Sequence, residues 1–198
     1  MRTEYRTIID AGLDLQVDDA GLPIMYEKMV PPMTLADYRR WASLRIEALN
    51  HALRGLPKER TRYHICWGSW NGPHMFDVPL KDIVDLVLRV DVGGYSFEAA
   101  NPRHEHEWQV WREVRLPLGK ALLPGLITHS TNVVEHPELV AERLLRFVEC
   151  VGRENVMAST DCGFSQSPLG GRVHRSIMWA KLKSLAEGAA IASQKAWG

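Results

Sequence analysis

The feature that most restricts this chain is the alternation of short apolar runs with stretches of helical spacing along its 198 residues. Residues 3–11 read as a helix stopped by Gly12. Leu13-Asp14-Leu15-Gln16-Val17-Asp18 alternates as a half-buried strand does. Thr34 is a good N-cap, and Leu35, Tyr38, Trp41, Leu44, Ile46, Leu49 and Leu53 follow at helical spacing to Gly55. Tyr63 to Trp67 is an apolar run that gives way to Gly68. A helix is expected from Pro79 through Val90, stopped by Gly93-Gly94, and Tyr95 to Glu98 reads as a short strand. After Asn101-Pro102, residues 104–113 suit a short helix. Lys120 to Thr128 reads as a strand despite Pro124 and Gly125. Pro137 to Val151 is a helix with proline in its first turn, Asn155 to Thr160 a strand, and 176–195 a last helix. This order predicts an α/β fold: about five parallel strands with helices between them, in one domain over residues 1–198.

Right-handed crossovers put the C-terminal ends of parallel strands on one side of a sheet, where such proteins build their sites. Asp18, His64 with Cys66, Glu98, His129 and Cys162 all fall at expected strand ends. Along a strand, side chains i and i+2 share a face, so His64 and Cys66 project together. An imidazole beside a thiol suits zinc, which prefers nitrogen and sulfur donors. Each residue has a plainer reading: Cys66 and Cys162 as packed thiols, Glu98 as a solvated strand end, His129 as a backbone-bonded ring, Asp18 as a turn cap. His74, His104 and His106 suit polar loop or supporting roles. Cys150 suits the core face of its helix, and Trp67, Trp70, Trp108 and Trp111 suit core or covering loops.

Composition narrows the partners. The 24 basic and 24 acidic residues cancel, and no basic stripe appears, which points away from nucleic acid and anionic membranes. No apolar run approaches the ~20 residues of a membrane span. The opening residues are too polar for a signal peptide, and three cysteines without a pairing pattern suit a reducing cytoplasm.

The motifs His64-x-Cys66, Ser96-Phe97-Glu98-Ala99 and Thr160-Asp161-Cys162-Gly163 resemble the C-terminal catalytic domain of the cobalamin-independent methionine synthase family. Gln16-x-Asp18 and Ile127-Thr128-His129-Ser130-x-Asn132-Val133 match further stretches of it, in the same order. Cys66-Trp67-Gly68-x-x-x-Gly72-Pro73-His74 and Asn101-Pro102-Arg103-His104-Glu105-His106-Glu107 lean towards single-barrel relatives such as the epoxyalkane:coenzyme M transferase-like branch. The resemblance implies a partial TIM (β/α)8 barrel comprising its last five βα units. It implies Zn2+ held by His64, Cys66, Glu98 and Cys162, with His129 as proton donor and Asp18 holding the amino group of an amino-acid thiol. The implied reaction is methyl transfer to homocysteine from a folate or corrinoid donor. Alternatives are alkyl transfer to coenzyme M or another small thiol, and an inactive zinc-binding fragment. A closed barrel takes roughly 250 residues. The missing units therefore predict open sheet edges, and with them self-association or pairing with a complementary N-terminal half.

Overall fold

The computed structural model describes residues 1–68, 75–165 and 171–198. Its elements are α1 (Arg2–Asp10), β1 (Leu15–Asp18), α2 (Gly21–Met29), α3 (Leu35–Leu53), β2 (Thr61–Ile65), α4 (Val84–Val87), β3 (Gly94–Phe97), β4 (Ala121–Ile127), α5 (Pro137–Val151), β5 (Ser159–Thr160) and α6 (Arg175–Trp197). The strands form one parallel sheet of five in the order β1-β2-β3-β4-β5, with helices between them. The result is half of a (β/α)8 barrel, with β1 and β5 at its two edges.

Local chemistry explains the best-formed elements. Thr34 caps α3 through a reciprocal box: its Oγ1 accepts from Asp37 N at 3.2 Å while its own N–H donates to Asp37 Oδ2 at 3.0 Å. Pro137 opens α5, where its missing N–H costs nothing, and His136 Nδ1 accepts from Glu138 N at 3.2 Å. Pro124 is tolerated inside β4 because the β3 ladder ends there, opposite Phe97, and the β5 ladder begins one residue later at Gly125. Tyr63, Ile65, Tyr95, Leu122, Leu126 and Ile127 form the centre of the core, which α5 covers with Val140, Ala141 and Phe147.

Two expectations are corrected, and a third, the short helix over 104–113, holds with a tighter winding. The helix from Pro79 to Val90 breaks into a 3-10 turn, Leu80–Asp82, and the single turn α4, because Ile83 at φ −132° leaves the helical region. The helix over 104–113 is a 3-10 helix, Glu105–Arg112. The last strand shrinks from Asn155–Thr160 to Ser159–Thr160, since Arg153–Asn155 coils into a 3-10 turn and only the isolated Leu122–Val156 bridge precedes β5. Helix α2 lacks a start signal in the sequence, since Ala20 at its N-cap offers no side-chain hydrogen bond and Gly21 opens it. Among the described residues no helix is long and apolar enough to cross a membrane.

Candidate metal centre

The strand register assembles the site. Asp18 pairs with His64 and His64 with Ser96, so three neighbouring strands present one row of side chains near their C-terminal ends. His64 Nδ1 lies 2.9 Å from Ser96 Oγ, and its Nε2 is buried with no hydrogen-bond partner among the described residues. One step further along the same strands, Cys66 follows β2 and Glu98 follows β3, and the Cys66 thiol donates to Glu98 Oε1 at 2.8 Å. Cys162, two residues past β5, completes the group: donor atoms of His64, Cys66 and Cys162 all lie within 4.8 Å of one another. Glu98 is outside that mutual cluster and joins it at Cys66. His64, Cys66 and Glu98 are each no more than 3% exposed.

The donor set fits zinc. Two sulfurs, one imidazole nitrogen with a bare buried edge and an adjacent carboxylate are the ligand types that ion takes. Ser96 fixes the ring from the other side, as partners of metal-ligating histidines do. Proton sharing points the same way. The neighbouring Cys162 sulfur, burial and the Glu98 charge push the Cys66 thiol well up. The Cys66 thiol and the His64 ring beside it draw Cys162 down against its own burial. His64 is raised despite burial, because the Cys162 sulfur and the Asp18 and Glu98 carboxylates favour its cation.

The other expected residues are placed as follows. His129 lies two residues past β4, fully buried, with neither ring nitrogen partnered among the described residues; burial lowers its pKa. Asp18 is exposed at the end of β1 and accepts from Gln16 Nε2 at 2.9 Å. Asp19 instead accepts from Leu22 N at 3.1 Å and from the Tyr63 hydroxyl at 3.0 Å. Cys150 is half-buried on α5 against the core. His106 is exposed, Trp111 is core and Trp108 is partly buried under Arg112. Trp70 and His74 lie outside the described residues.

Two supports brace the site, of which His104 has the supporting role expected of it and Asp161 was not singled out by the sequence. Asp161 is fully buried, and its Oδ1 accepts from Ala99 N at 2.8 Å and Ala100 N at 2.9 Å. It thereby ties the residue before Cys162 to the loop after Glu98, crossing β4 at Gly125, where a Cβ would fall 2.5 Å from Asp161 Cα. The second support is His104, stacked on Trp67 at 4.1 Å, with Nδ1 2.8 Å from Glu107 Oε2 and Nε2 3.6 Å from Asp77 Oδ2. Burial opposes its charge, yet Asp77 and Glu107 outweigh that and lift it to about 9. A histidine lifted on folding adds stability fully below its unfolded value, near ~6.5, and loses it as pH rises through the folded one. Urea stability is therefore expected to fall between about pH 7 and 10, and His104→Gln to flatten that fall. Identical slopes for the two proteins would contradict the assignment.

A half-barrel with a sulfur, nitrogen and carboxylate cluster at its strand ends is thus the class that fold and site define. The comparisons are consistent with it. No family model matches the sequence. The chain is 24% identical over 214 residues to 2-hydroxypropyl-CoM lyase of Xanthobacter autotrophicus, covering 95% of this chain and 51% of that protein. It is 24% identical over 193 residues to methionine synthase of Saccharolobus islandicus, covering 97% and 48%. Its fold matches the B12-independent methionine synthase of Shewanella sp. W3-18-1 with a TM-score of 0.71 at 20% identity, covering 98% of this chain and 52% of that one. The resemblance read from the motifs is upheld, and the chain spans about half the length of the curated relatives it matches.

Proposed function

We propose that this chain carries the metal half of a zinc-dependent thiol S-methyltransferase that makes methionine from homocysteine. The observation that supports this best is the convergence of His64, Cys66 and Cys162 within 4.8 Å, with Glu98 on Cys66, at the ends of adjacent parallel strands. His64, Cys66, Cys162 and Glu98 would hold the ion. Zinc bound there would stabilise the substrate sulfur as a thiolate at neutral pH, where a free thiol is mostly protonated.

The protein's own groups supply the rest. Ser96 orients His64. Glu98 is the one oxygen donor among softer ligands, so it is the group suited to yield its place to substrate sulfur. His129, buried and unpartnered among the described residues, would hold the proton taken by the departing atom of the methyl donor. Asp18, exposed beside the His64 row, would receive the substrate amino group. The unpaired cysteines suit a cytoplasmic setting. A folate or corrinoid donor would lean on the βα units that complete the barrel, so a complementary N-terminal half is the partner this reading calls for. A second reading, alkyl transfer to coenzyme M, draws on the lyase relative; Asp18 weighs weakly against it, since a sulfonate thiol has no amino group for that carboxylate to hold.

The test is zinc content and transfer together. The purified chain is expected to hold one zinc, and Cys66→Ser and Cys162→Ser to fall to background while keeping the wild-type circular dichroism. Methylation of homocysteine is expected once a separately expressed N-terminal half is added. Alkylation of coenzyme M instead would favour the second reading. Zinc without transfer to either thiol would leave an inert metal-binding fragment, and no zinc at all would overturn the proposal.

A further inference from the structure

Glu98 is gripped from the side away from the sulfurs, and we propose that Asn101 is the positioning residue that sets how firmly this carboxylate engages the metal. The inference rests on the zinc reading above. Asn101 is 6% exposed, and its Nδ2 donates to Glu98 Oε2 at 2.6 Å. Glu98 Oε1 meets the Cys66 thiol at 2.8 Å. The two carboxylate oxygens therefore have different work: one faces the sulfur cluster and the other is tied to the loop.

The amide cannot reverse its ends. Its Oδ1 already accepts the N–H groups of Arg103 at 3.0 Å and His104 at 3.2 Å, which fixes the NH2 end on Glu98. The loop behind it is anchored in turn, since His104 is stacked on Trp67 and paired with Glu107, and Arg103 Nε reaches Asp77 Oδ2 at 2.8 Å. With Oε2 held by the loop amide, Oε1 is the oxygen aimed at the sulfur cluster, where a metal would be held. A carboxylate released from the metal would keep its hydrogen bond to Asn101, which lowers the cost of holding a charge in a buried site. Asn101 thus makes Glu98 both well aimed and replaceable.

The experiment is a double-mutant cycle on zinc affinity, read by competition with a chromogenic chelator and needing no substrate. Asn101→Ala is expected to weaken zinc binding by about 10–100-fold, the usual cost of losing a partner of a metal ligand. In a Glu98→Ala background the same change is expected to cost less than about twofold, because its target is gone. The cobalt-substituted protein adds a readout that loop stability does not move: its visible bands are expected to shift in Asn101→Ala and not in the double variant. Should Asn101→Ala fail to fold, Asn101→Ser keeps an oxygen for the Arg103 and His104 N–H groups while removing the amide from Glu98. An unchanged affinity in a folded Asn101 variant, or a loss that persists without Glu98, would overturn the proposal. Absence of zinc from the wild type would instead remove the reading beneath it.

Discussion

Gly125→Ala is expected to destabilise the chain by at least about 3 kcal/mol and to abolish zinc retention. The position lies in the middle of the sheet, where a methyl group is normally harmless. Here the ladder between β4 and β5 is irregular between Gly125 and Ile127, and Asp161 folds into the space an alanine would fill. The new Cβ would meet Asp161 Oδ1 at 2.1 Å, Cα at 2.5 Å and N at 2.7 Å. A side-chain oxygen could swing away; the backbone atoms cannot without moving β5. Moving β5 breaks the bonds from Ala99 and Ala100, leaving two buried N–H groups unpaired at about 1–3 kcal/mol each, and carries Cys162 with it. Urea unfolding with zinc analysis checks this. Wild-type stability with zinc retained would show that Asp161 does not brace the site.

The second large effect lies beneath the β4 end. Lys181 on α6 is fully buried and donates to Glu135 Oε2 at 2.7 Å, while Glu135 Oε1 accepts from Thr128 N at 2.9 Å. The pair docks α6 onto the loop that carries His129. Lys181→Met keeps the length and strands a buried carboxylate, so a loss of about 3–5 kcal/mol is expected, or roughly 10 °C in Tm for a chain of this size. Adding Glu135→Gln removes the orphaned charge and keeps an acceptor for Thr128, so the double variant is expected to regain most of the loss. A double variant no better than Lys181→Met would show that a stranded Glu135 charge is not the source of the loss.

The proximity of the candidate metal ligands was legible in part because chemistry and period coincide: His64 and Cys66 are two apart on one strand, and Glu98 and Cys162 each follow another, while the choice of these four over Asp18 and His129 came from the family resemblance. Helices α3 and α5 were legible for a similar reason, since Thr34 and Pro137 mark their first turns and an apolar stripe runs behind each. The long-range contacts were not legible. The Cys66 to Glu98 contact spans 32 residues, Asp161 to Ala99 62, and Lys181 to Glu135 46, and no local pattern announces any of them. Asn101 was hidden differently, because an Asn-Pro pair reads as an ordinary turn and only the folded loop turns its amide onto Glu98. The broken helix after Pro79 shows the limit of periodicity: Ile83, Val84, Leu86, Val87 and Val90 are all buried, yet they cover the sheet from a 3-10 turn and a single α turn.

X-ray absorption at the zinc edge of the reconstituted chain tests the central claim most directly. The account predicts about two sulfurs near ~2.3 Å and about two nitrogen or oxygen neighbours near ~2.0–2.2 Å, with a sulfur lost in either Cys66→Ser or Cys162→Ser. A shell of light atoms alone, or a sulfur count indifferent to both substitutions, would contradict it.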